Sequence, residues 1–289
     1  MTRRDLADLL LLSLLWGAAY LFMRSAVPAF GPAALIALRM GIAVLVLAPL
    51  LAWRGGWRPL VARPVPLLVQ ALPFTALPFL ALGWSAQHLT AGLLAVLNAT
   101  APLFAALLAR LVQHEKLGGW RIAGLVLGFG GVALLAASSG SFRSTQGALA
   151  VAAVLGVSCL WAVGALYTRR QFAGVDSVAL TTGSLALAAL ALAPWAVASW
   201  PTQPPPLRAW LEMAFLGVAS SGLGFLLYYR LLQRVGAVRA MSVTFLNPVV
   251  ALLSGALYLG EALTLHTLAG AAVVLVGTAL VLGLLPLRR

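Results

Sequence analysis

The chain has 289 residues, of which 62% are hydrophobic and 9% are charged. Soluble domains carry about a quarter charged residues, so this composition excludes a soluble protein and indicates an integral membrane protein. The formal net charge of +13 does not indicate a nucleic-acid partner, because the basic residues are scattered over short loops and no folded basic domain supports them.

Ten apolar runs are each long enough to form a helix across the hydrocarbon core of a bilayer, which takes about 20 residues. The loops between them are short and leave no room for a soluble domain. We therefore predict an all-α integral membrane protein with ten transmembrane helices. The runs lie approximately at 6–24, 33–53, 65–85, 90–112, 118–138, 147–168, 178–199, 209–229, 237–258 and 266–286.

The basic residues are divided unequally between the two sets of loops. If the N-terminus is cytoplasmic, 15 of the 19 basic residues fall in cytoplasmic loops and tails, and only three fall in outer loops. Lys and Arg of short loops concentrate on the cytoplasmic side of membrane proteins. We predict a multi-pass protein of the plasma membrane, the inner membrane of a bacterium, with both termini in the cytoplasm.

The chain carries one stretch twice. A shift of 146 residues lays Pro102 on Pro248 and Glu115 on Glu261, and twelve positions between 90 and 134 are identical at this shift. Glu occurs only three times in the chain, so two of them in one register are difficult to attribute to chance. A self-match at a fixed offset indicates an internal repeat.

Each copy of the repeat holds five predicted helices, which is an odd number, so the two copies run through the membrane in opposite directions. We predict two inverted-topology five-helix repeats, at 1–140 and 146–286. Inverted repeats are typical of transporters, whose substrate site lies near the membrane midplane between the two halves.

The first helix of each predicted repeat carries a tryptophan. Trp16 and Tyr20 are four residues apart, on one face of a helix, and a shift of 145 residues lays Trp16 on Trp161. Either the two indoles meet at a central cavity near the pseudo-symmetry axis, or they serve only helix packing.

Arg39 lies inside the second predicted helix, about two turns from its outer end. A charge in hydrocarbon costs about 2.5 kcal/mol or more, so such residues usually face the bundle interior or water. Two interpretations stay open. Arg39 either reaches towards the outer headgroups or supplies a fixed positive charge that binds the carboxylate end of a substrate.

The third predicted helix contains Pro73 and Pro78, each of which removes a backbone hydrogen bond. We predict a kink or hinge there. Trp84 and His88 follow near the end of this helix. His88 is either a packing residue near the helix end or the one histidine able to reach a central cavity.

The fourth and ninth predicted helices share a proline with polar neighbours. Pro102 frees the backbone carbonyl of Asn98, and Pro248 frees that of Thr244. In lipid these carbonyls need a partner or water. Together with Asn247, these positions are candidates for an uncharged, hydrogen-bonding substrate site and for a hinge. The alternative is a structural kink that neighbouring helices satisfy.

Glu115 and Glu261 follow these two helices at opposite faces of the predicted bundle. A carboxylate favours the N-terminus of a helix, so each Glu either caps the helix that follows it or acts as a gate residue. In the eighth predicted helix, small hinge-like residues at 220–224 are followed by Tyr228 and Tyr229, which we predict to face the cavity.

The runs ALRMGIAVLVL, PLFAALLARLVQHEKL and GFLLYYRLLQRVGAVRAMSVTFLNPVVALLSGALYLGEALT resemble the ten-helix EamA-type exporters of the drug/metabolite transporter superfamily. The resemblance covers nearly the whole chain and implies export of amino acids, their derivatives or other small metabolites. Within the family, the chain is similar to the aromatic amino-acid exporter branch. Asn247 departs from the acidic or small residue that many members place before this proline, which puts carboxylate-based proton coupling at that position in doubt.

We predict a transporter and no enzyme, cofactor or metal site, because the six acidic residues are never adjacent. The predicted partners are a small-molecule substrate and the lipid bilayer, and a monomer is expected to function because the duplication supplies both orientations. Alternating access is the predicted mechanism; a passive pore and proton antiport through His88 stay open. The predicted apolar wall consists of Trp16, Tyr20, Trp84, Trp161, Tyr228 and Tyr229, and the predicted polar end consists of Arg39, Asn98 and Asn247.

Overall fold

The structure is a computed structural model that describes residues 2–54, 56, 62–112, 114, 117–138, 144–235 and 243–284. Within these ranges all regular secondary structure is helical. Glu115 lies outside the described residues, and so does the side chain of Tyr229.

The described ranges contain nine consecutive helices. Eight helical segments in these ranges are long and apolar enough to cross a membrane, and α8 is a shorter apolar helix. The protein is therefore a multi-pass membrane protein. The helices are α1 (Arg3–Arg54), α2 (Pro64–Ser85), α3 (Ala91–Val112), α4 (Gly119–Ser138), α5 (Thr145–Gln171), α6 (Ser177–Ala198), α7 (Leu207–Ala214, Phe215–Leu223 and Gly224–Val235), α8 (Val243–Leu259) and α9 (Leu265–Leu282).

Helix α1 consists of two helical segments that join at a kink. Gly31 has φ 73° and ψ 161°, a backbone conformation that is essentially restricted to glycine. Pro28 and Pro32 flank this position and disfavour an unbroken helix, because proline cannot donate a backbone hydrogen bond. The kink separates the segment that carries Trp16 from the segment that carries Arg39.

We expect Gly31→Ala to destabilise the protein by about 1–3 kcal/mol, since an alanine at this φ is strained. Gly41→Ala is the matched control. Gly41 lies in the second segment of α1, where an added Cβ meets no atom within 4 Å, so its replacement is expected to be neutral or slightly stabilising. Unfolding of both variants in detergent, followed by circular dichroism, measures the difference. Equal stability of the two variants would contradict the role given to Gly31.

Two helices contain π-helical stretches, in which the backbone hydrogen bonds reach one residue further than in an α-helix. They are Leu72–Ala76 in α2 and Phe215–Leu223 in α7. A shift of 146 residues carries 72–76 to 218–222, inside the second stretch. The two copies of the repeat thus share this distortion, and such stretches are frequent at functional sites.

The prolines predicted as hinges occupy different local structures. Pro73 lies within the π-helical stretch of α2, and Pro78 lies at the start of the α-helical turns after it. Pro102 follows a break in α3, which consists of Ala91–Asn98 and Ala101–Val112. Pro248 lies inside α8, which is continuous over its described length. Whether these positions act as hinges stays a prediction.

Helix α1 is central to the bundle and contacts α2, α3, α6, α7 and α8. Helices α4 and α9 pack closely on each other. A Cβ at Gly124 would stand 2.7 Å from the carbonyl oxygen of Gly277, so only glycine permits this backbone approach. The α4–α9 pair contributes to the scaffold, whereas the helices around α1 enclose the interior cavity.

Candidate functional site

A cavity of about 410 Å³ lies inside the bundle, between α1, α2, α3, α5, α6, α7 and α8. Both copies of the repeat therefore contribute to its walls. Seven of the residues predicted as substrate-binding line it, and their role in binding stays a prediction. They are Trp16, Tyr20, Arg39, Asn98, Trp161, Thr244 and Asn247.

Equivalent positions of the two copies line this cavity. Trp16 is related to Trp161 by a shift of 145 residues, and Asn98 is related to Thr244 by a shift of 146. The cavity thus lies where the two copies meet. Further related pairs in its lining are Phe79 with Phe225, Ala101 with Asn247, Met23 with Thr168 and Arg39 with Ser184.

Arg39 brings a positive charge to the cavity wall although it is only 7% exposed. Its Nε donates a hydrogen bond to Oγ of Ser221 at 2.9 Å, and its Nη2 donates one to Oγ of Ser220 at 3.3 Å. Its guanidinium carbon lies 4.9 Å from the ring centroid of Phe79, a cation–π contact. These partners are neutral, and Arg39 forms no ion pair within the described ranges. The side chain of Arg39 is thus buried between the helices and bonded to α7 in this structure.

The π-helical stretch of α7 holds the partners of Arg39. The carbonyl of Ser220 accepts a hydrogen bond from Nε1 of Trp16 at 3.0 Å. Gly224 permits this approach, because a Cβ there would stand 2.6 Å from the indole nitrogen. Sequence reasoning missed Ser220 and Ser221 as site residues. The run of small residues at 220–224 is the signal that could have identified them.

Aromatic rings form and support the apolar part of the cavity wall. Trp161 meets Phe79 edge to face, with ring centroids 5.7 Å apart. Trp16 meets Phe225 edge to face at 5.8 Å and contacts Tyr228 at 5.3 Å. Tyr228 is not among the described lining residues, so it supports Trp16 instead of facing the cavity. Such edge-to-face and tilted contacts are favourable aromatic geometries and stabilise these ring positions around the cavity.

Three buried polar atoms of the lining have no hydrogen-bond partner in the described part of the chain. They are Oδ1 of Asn98, Oδ1 of Asn247 and Oγ of Ser184. The amide nitrogen of Asn98 is satisfied, because it donates to the hydroxyl of Tyr20 at 2.5 Å. A buried polar atom without a partner costs about 1–3 kcal/mol. A solute that supplies partners would recover part of this cost.

Trp84 and His88 lie outside the cavity lining described above. Their rings contact each other with centroids 4.8 Å apart. His88 is in the turn beyond Ser85, where α2 ends. His88 therefore lies beyond the end of the helix and outside the described cavity lining. Proton antiport through His88, which the sequence leaves open, gains no support from this position.

The match to a protein family covers both copies of the repeat. A model of the EamA-like transporter family matches residues 7–137 and again residues 148–283. The chain belongs to the EamA-like transporter family. This EamA-like protein is thus a membrane transporter, which agrees with the resemblance to EamA-type exporters that its sequence shows.

Several relatives of this EamA-like transporter are similar over most of their length. An uncharacterized transporter of Archaeoglobus fulgidus is 28% identical over 91% of this chain and 92% of its own. A probable terminal-alkyne amino-acid exporter of Streptantibioticus cattleyicolor is 31% identical over 92% of this chain and 89% of its own. The uncharacterized inner membrane transporter YedA of Escherichia coli K12 is 29% identical over 88% of this chain and 82% of its own.

The fold is also similar to that of a solved crystal structure. That protein is 21% identical in sequence and covers 97% of this chain and 96% of its own, with a TM-score of 0.69. At this identity, the likeness shows that the fold is shared and carries no information about the substrate.

The described acidic residues of this EamA-like transporter stand away from the cavity. Five of the six are described, none of them lines the cavity, and each contacts the opposite copy of the repeat. The contacts are Asp5 and Asp8 with Arg234 at 3.8 and 3.5 Å, Asp176 with Arg54 at 3.6 Å, Glu212 with Ser25 at 2.7 Å, and Glu261 with the N–H of Ala91 at 2.9 Å.

Glu261 corrects one prediction about these carboxylates. The helix that follows it, α9, has Thr264 as its N-cap, so Glu261 does not cap that helix. Both carboxylate oxygens instead accept the N–H of Ala91, at 2.9 and 3.1 Å. Ala91 begins α3, where the helix dipole attracts a negative charge. Glu261 thus joins the two copies, and its role as a gate stays a prediction.

Proposed function

We propose that this transporter exports small amphipathic solutes that carry a carboxylate, among them amino acids with large apolar or aromatic side chains. The observation that carries the proposal is the guanidinium of Arg39, buried at the cavity wall among neutral partners. Burying a charge without an opposite charge is unfavourable, so a solute carboxylate in the cavity would gain an electrostatic contact and a hydrogen-bond donor.

The apolar wall supports this class of solute. Trp16, Trp161, Phe79 and Phe225 offer ring faces and edges on which an apolar side chain can pack. The cavity volume of about 410 Å³ lies within the roughly 300–1,000 Å³ of small-molecule sites. The S. cattleyicolor relative, named as an amino-acid exporter, is 31% identical to this chain.

Alternating access of two inverted five-helix halves is part of the same proposal. A straight helix of 52 residues would be about 78 Å long, far longer than the roughly 30 Å of hydrocarbon. The kink at Gly31 therefore favours two crossings by α1, which brings the total to ten with α8. Two family matches in one chain support a duplication. With the distribution of basic residues, we propose that both termini are cytoplasmic and that a monomer is sufficient.

We further propose facilitated diffusion as the driving mode. Proton antiport needs a titratable group that alternates between substrate and proton. No carboxylate or histidine occurs among the described residues of the cavity lining. Gradients of the solute itself would then drive export.

Transport in proteoliposomes tests the proposal. We expect efflux of labelled phenylalanine to be saturable. Unlabelled phenylalanine on the opposite side is expected to stimulate this efflux, because a carrier changes back to its starting conformation faster when it is loaded. An imposed pH gradient is expected to change the rate less than twofold, because the described cavity lining contains no carboxylate or histidine to carry a proton. Empty liposomes are the control. Linear, non-saturating flux would identify a passive pore, and accumulation against a phenylalanine gradient driven by protons would contradict facilitated diffusion.

A further inference from the structure

One part of the cavity is lined by hydroxyl and amide groups and carries no charge. The residues there come from three helices whose ends meet, α2, α5 and α6. Thr168 donates a hydrogen bond to Oε1 of Gln70 at 2.9 Å, which joins α5 to α2. Thr75 donates to the carbonyl of Gln70 at 3.1 Å. The residues are Gln70, Thr75, Thr168, Thr181 and Ser184.

Within this group, Ser184 is separated from Arg39 along the bundle. Arg54 at the end of α1 pairs with Asp176, the N-cap of α6, at 3.6 Å. The end of α1 and the start of α6 therefore lie at about the same level along the bundle axis. A helix rises 1.5 Å per residue, so Arg39 lies about 22 Å from that level and Ser184 about 12 Å from it. For parallel helices, the Cα atoms of Arg39 and Ser184 are then about 10 Å apart along the bundle.

Ser184 is the residue that points to a ligand. It is 4% exposed and lines the cavity, and its Oγ has no hydrogen-bond partner within the described ranges. Buried hydroxyl groups in folded proteins are nearly always hydrogen-bonded. Most residues of its helix are apolar, and an apolar residue at this position would not carry this cost.

The duplication shows how the two ends differ. The 145-residue shift relates Arg39 of the first copy to Ser184 of the second. Equivalent positions thus carry a guanidinium at one end of the cavity and a hydroxyl at the other. A solute bound between them meets a cation at one end and a neutral hydrogen-bonding group at the other.

We propose that the end around Ser184 is a second subsite, which binds a hydroxyl or amide group at the far end of the transported solute. The inference rests on the proposed function, because it places the solute carboxylate at Arg39. A cationic group is not favoured there, since the described lining around Ser184 contains no carboxylate to balance a buried positive charge. A site built to hydrogen-bond discriminates against an analogue that lacks the group, because its own polar atom is then left unpaired.

Phenylalanine and tyrosine are the matched probes, since they differ by one hydroxyl. In proteoliposomes, the wild-type protein is expected to transport tyrosine with a kcat/KM about 2- to 10-fold above that for phenylalanine, the value of one neutral hydrogen bond. Ser184→Ala is expected to bring the ratio of the two kcat/KM values to about one. Ser199→Ala is the control, because Ser199 follows the same helix on the exposed surface.

The outcomes separate the subsite from the proposed function. Equal transport of the two amino acids by the wild-type protein, or an equal loss of both in Ser184→Ala, would overturn the subsite and leave the carrier function standing. Transport of neither by the wild-type protein would overturn the function and the subsite with it. If Ser184→Ala inserts poorly, Ser184→Cys, which is nearly isosteric and a weak donor, replaces it with the same expected result.

Discussion

Replacing Arg39 with Gln is expected to lower kcat/KM for phenylalanine export by about 30-fold or more. Removing one partner of a buried, hydrogen-bonded charge pair costs about 2–5 kcal/mol, and about 1.4 kcal/mol corresponds to a tenfold change. The amide nitrogen of Gln stands at the same chain position as Nε of Arg39, so Gln keeps a donor for the hydroxyl of Ser221. The charge that would attract the solute carboxylate is lost.

Phenethylamine, which lacks the carboxylate, tests whether the loss concerns that group. Its transport is expected to be unchanged or faster in Arg39→Gln, because the variant no longer repels its ammonium group. Arg169→Gln at the exposed end of α5 removes the same formal charge far from the cavity and is the control. Wild-type phenylalanine kinetics in Arg39→Gln, at equal amounts of inserted protein, would remove Arg39 from the binding site.

The broad features of the fold could be predicted because the membrane restricts them. An apolar run must be about 20 residues long to cross, so the runs in the sequence indicate where helices occur. The duplication predicts that Trp16 and Trp161 stand at equivalent places, and both line the cavity. These predictions depend on length, polarity and register, which a single sequence contains.

The partners of individual side chains could not be predicted in the same way. Arg39 bonds to Ser221, 182 residues away, within a π-helical stretch of α7 that the sequence pattern does not reveal. Sequence indicated that Glu261 would cap the nearest helix in the chain, whereas the nearest helix N-terminus in space belongs to α3. His88 lies near the predicted end of its helix. If the helix ends one turn earlier or later, such a residue lies at a different depth in the bundle. Rotation and depth of helices depend on packing between them.

Glu212 offers a test of the proposed movement between the two halves. It is 5% exposed. One carboxylate oxygen accepts the hydroxyl of Ser25 at 2.7 Å and the Nε of Arg208 at 2.9 Å. Ser25 belongs to the first copy of the repeat and Glu212 to the second. With both termini in the cytoplasm, this contact would lie towards the outer face and would hold that side of the bundle closed.

Glu212→Gln is expected to raise the outward-open population about tenfold. Hydrogen bonds to a charged group contribute about 1.5–3 kcal/mol and neutral ones about 0.5–1.5, so the substitution weakens closure by about 1.4 kcal/mol, a factor of ten. The measurement is the rate at which a membrane-impermeant maleimide labels Ala29→Cys, next to this contact, in a Cys159→Ala background. Cys159 is the only other cysteine.

Arg208→Gln provides the contrast. The side chain of Arg208 is 61% exposed, and exposed ion pairs contribute about 0–1 kcal/mol, so labelling is expected to rise less than in Glu212→Gln. If the carboxylate of Glu212 holds the outer side closed, the order of labelling rates is Glu212→Gln, then Arg208→Gln, then the parent. Equal labelling rates in all three proteins would mean that closure depends on apolar packing around α1. The Ser25–Glu212 contact would then form as a result of closure and would not stabilise it.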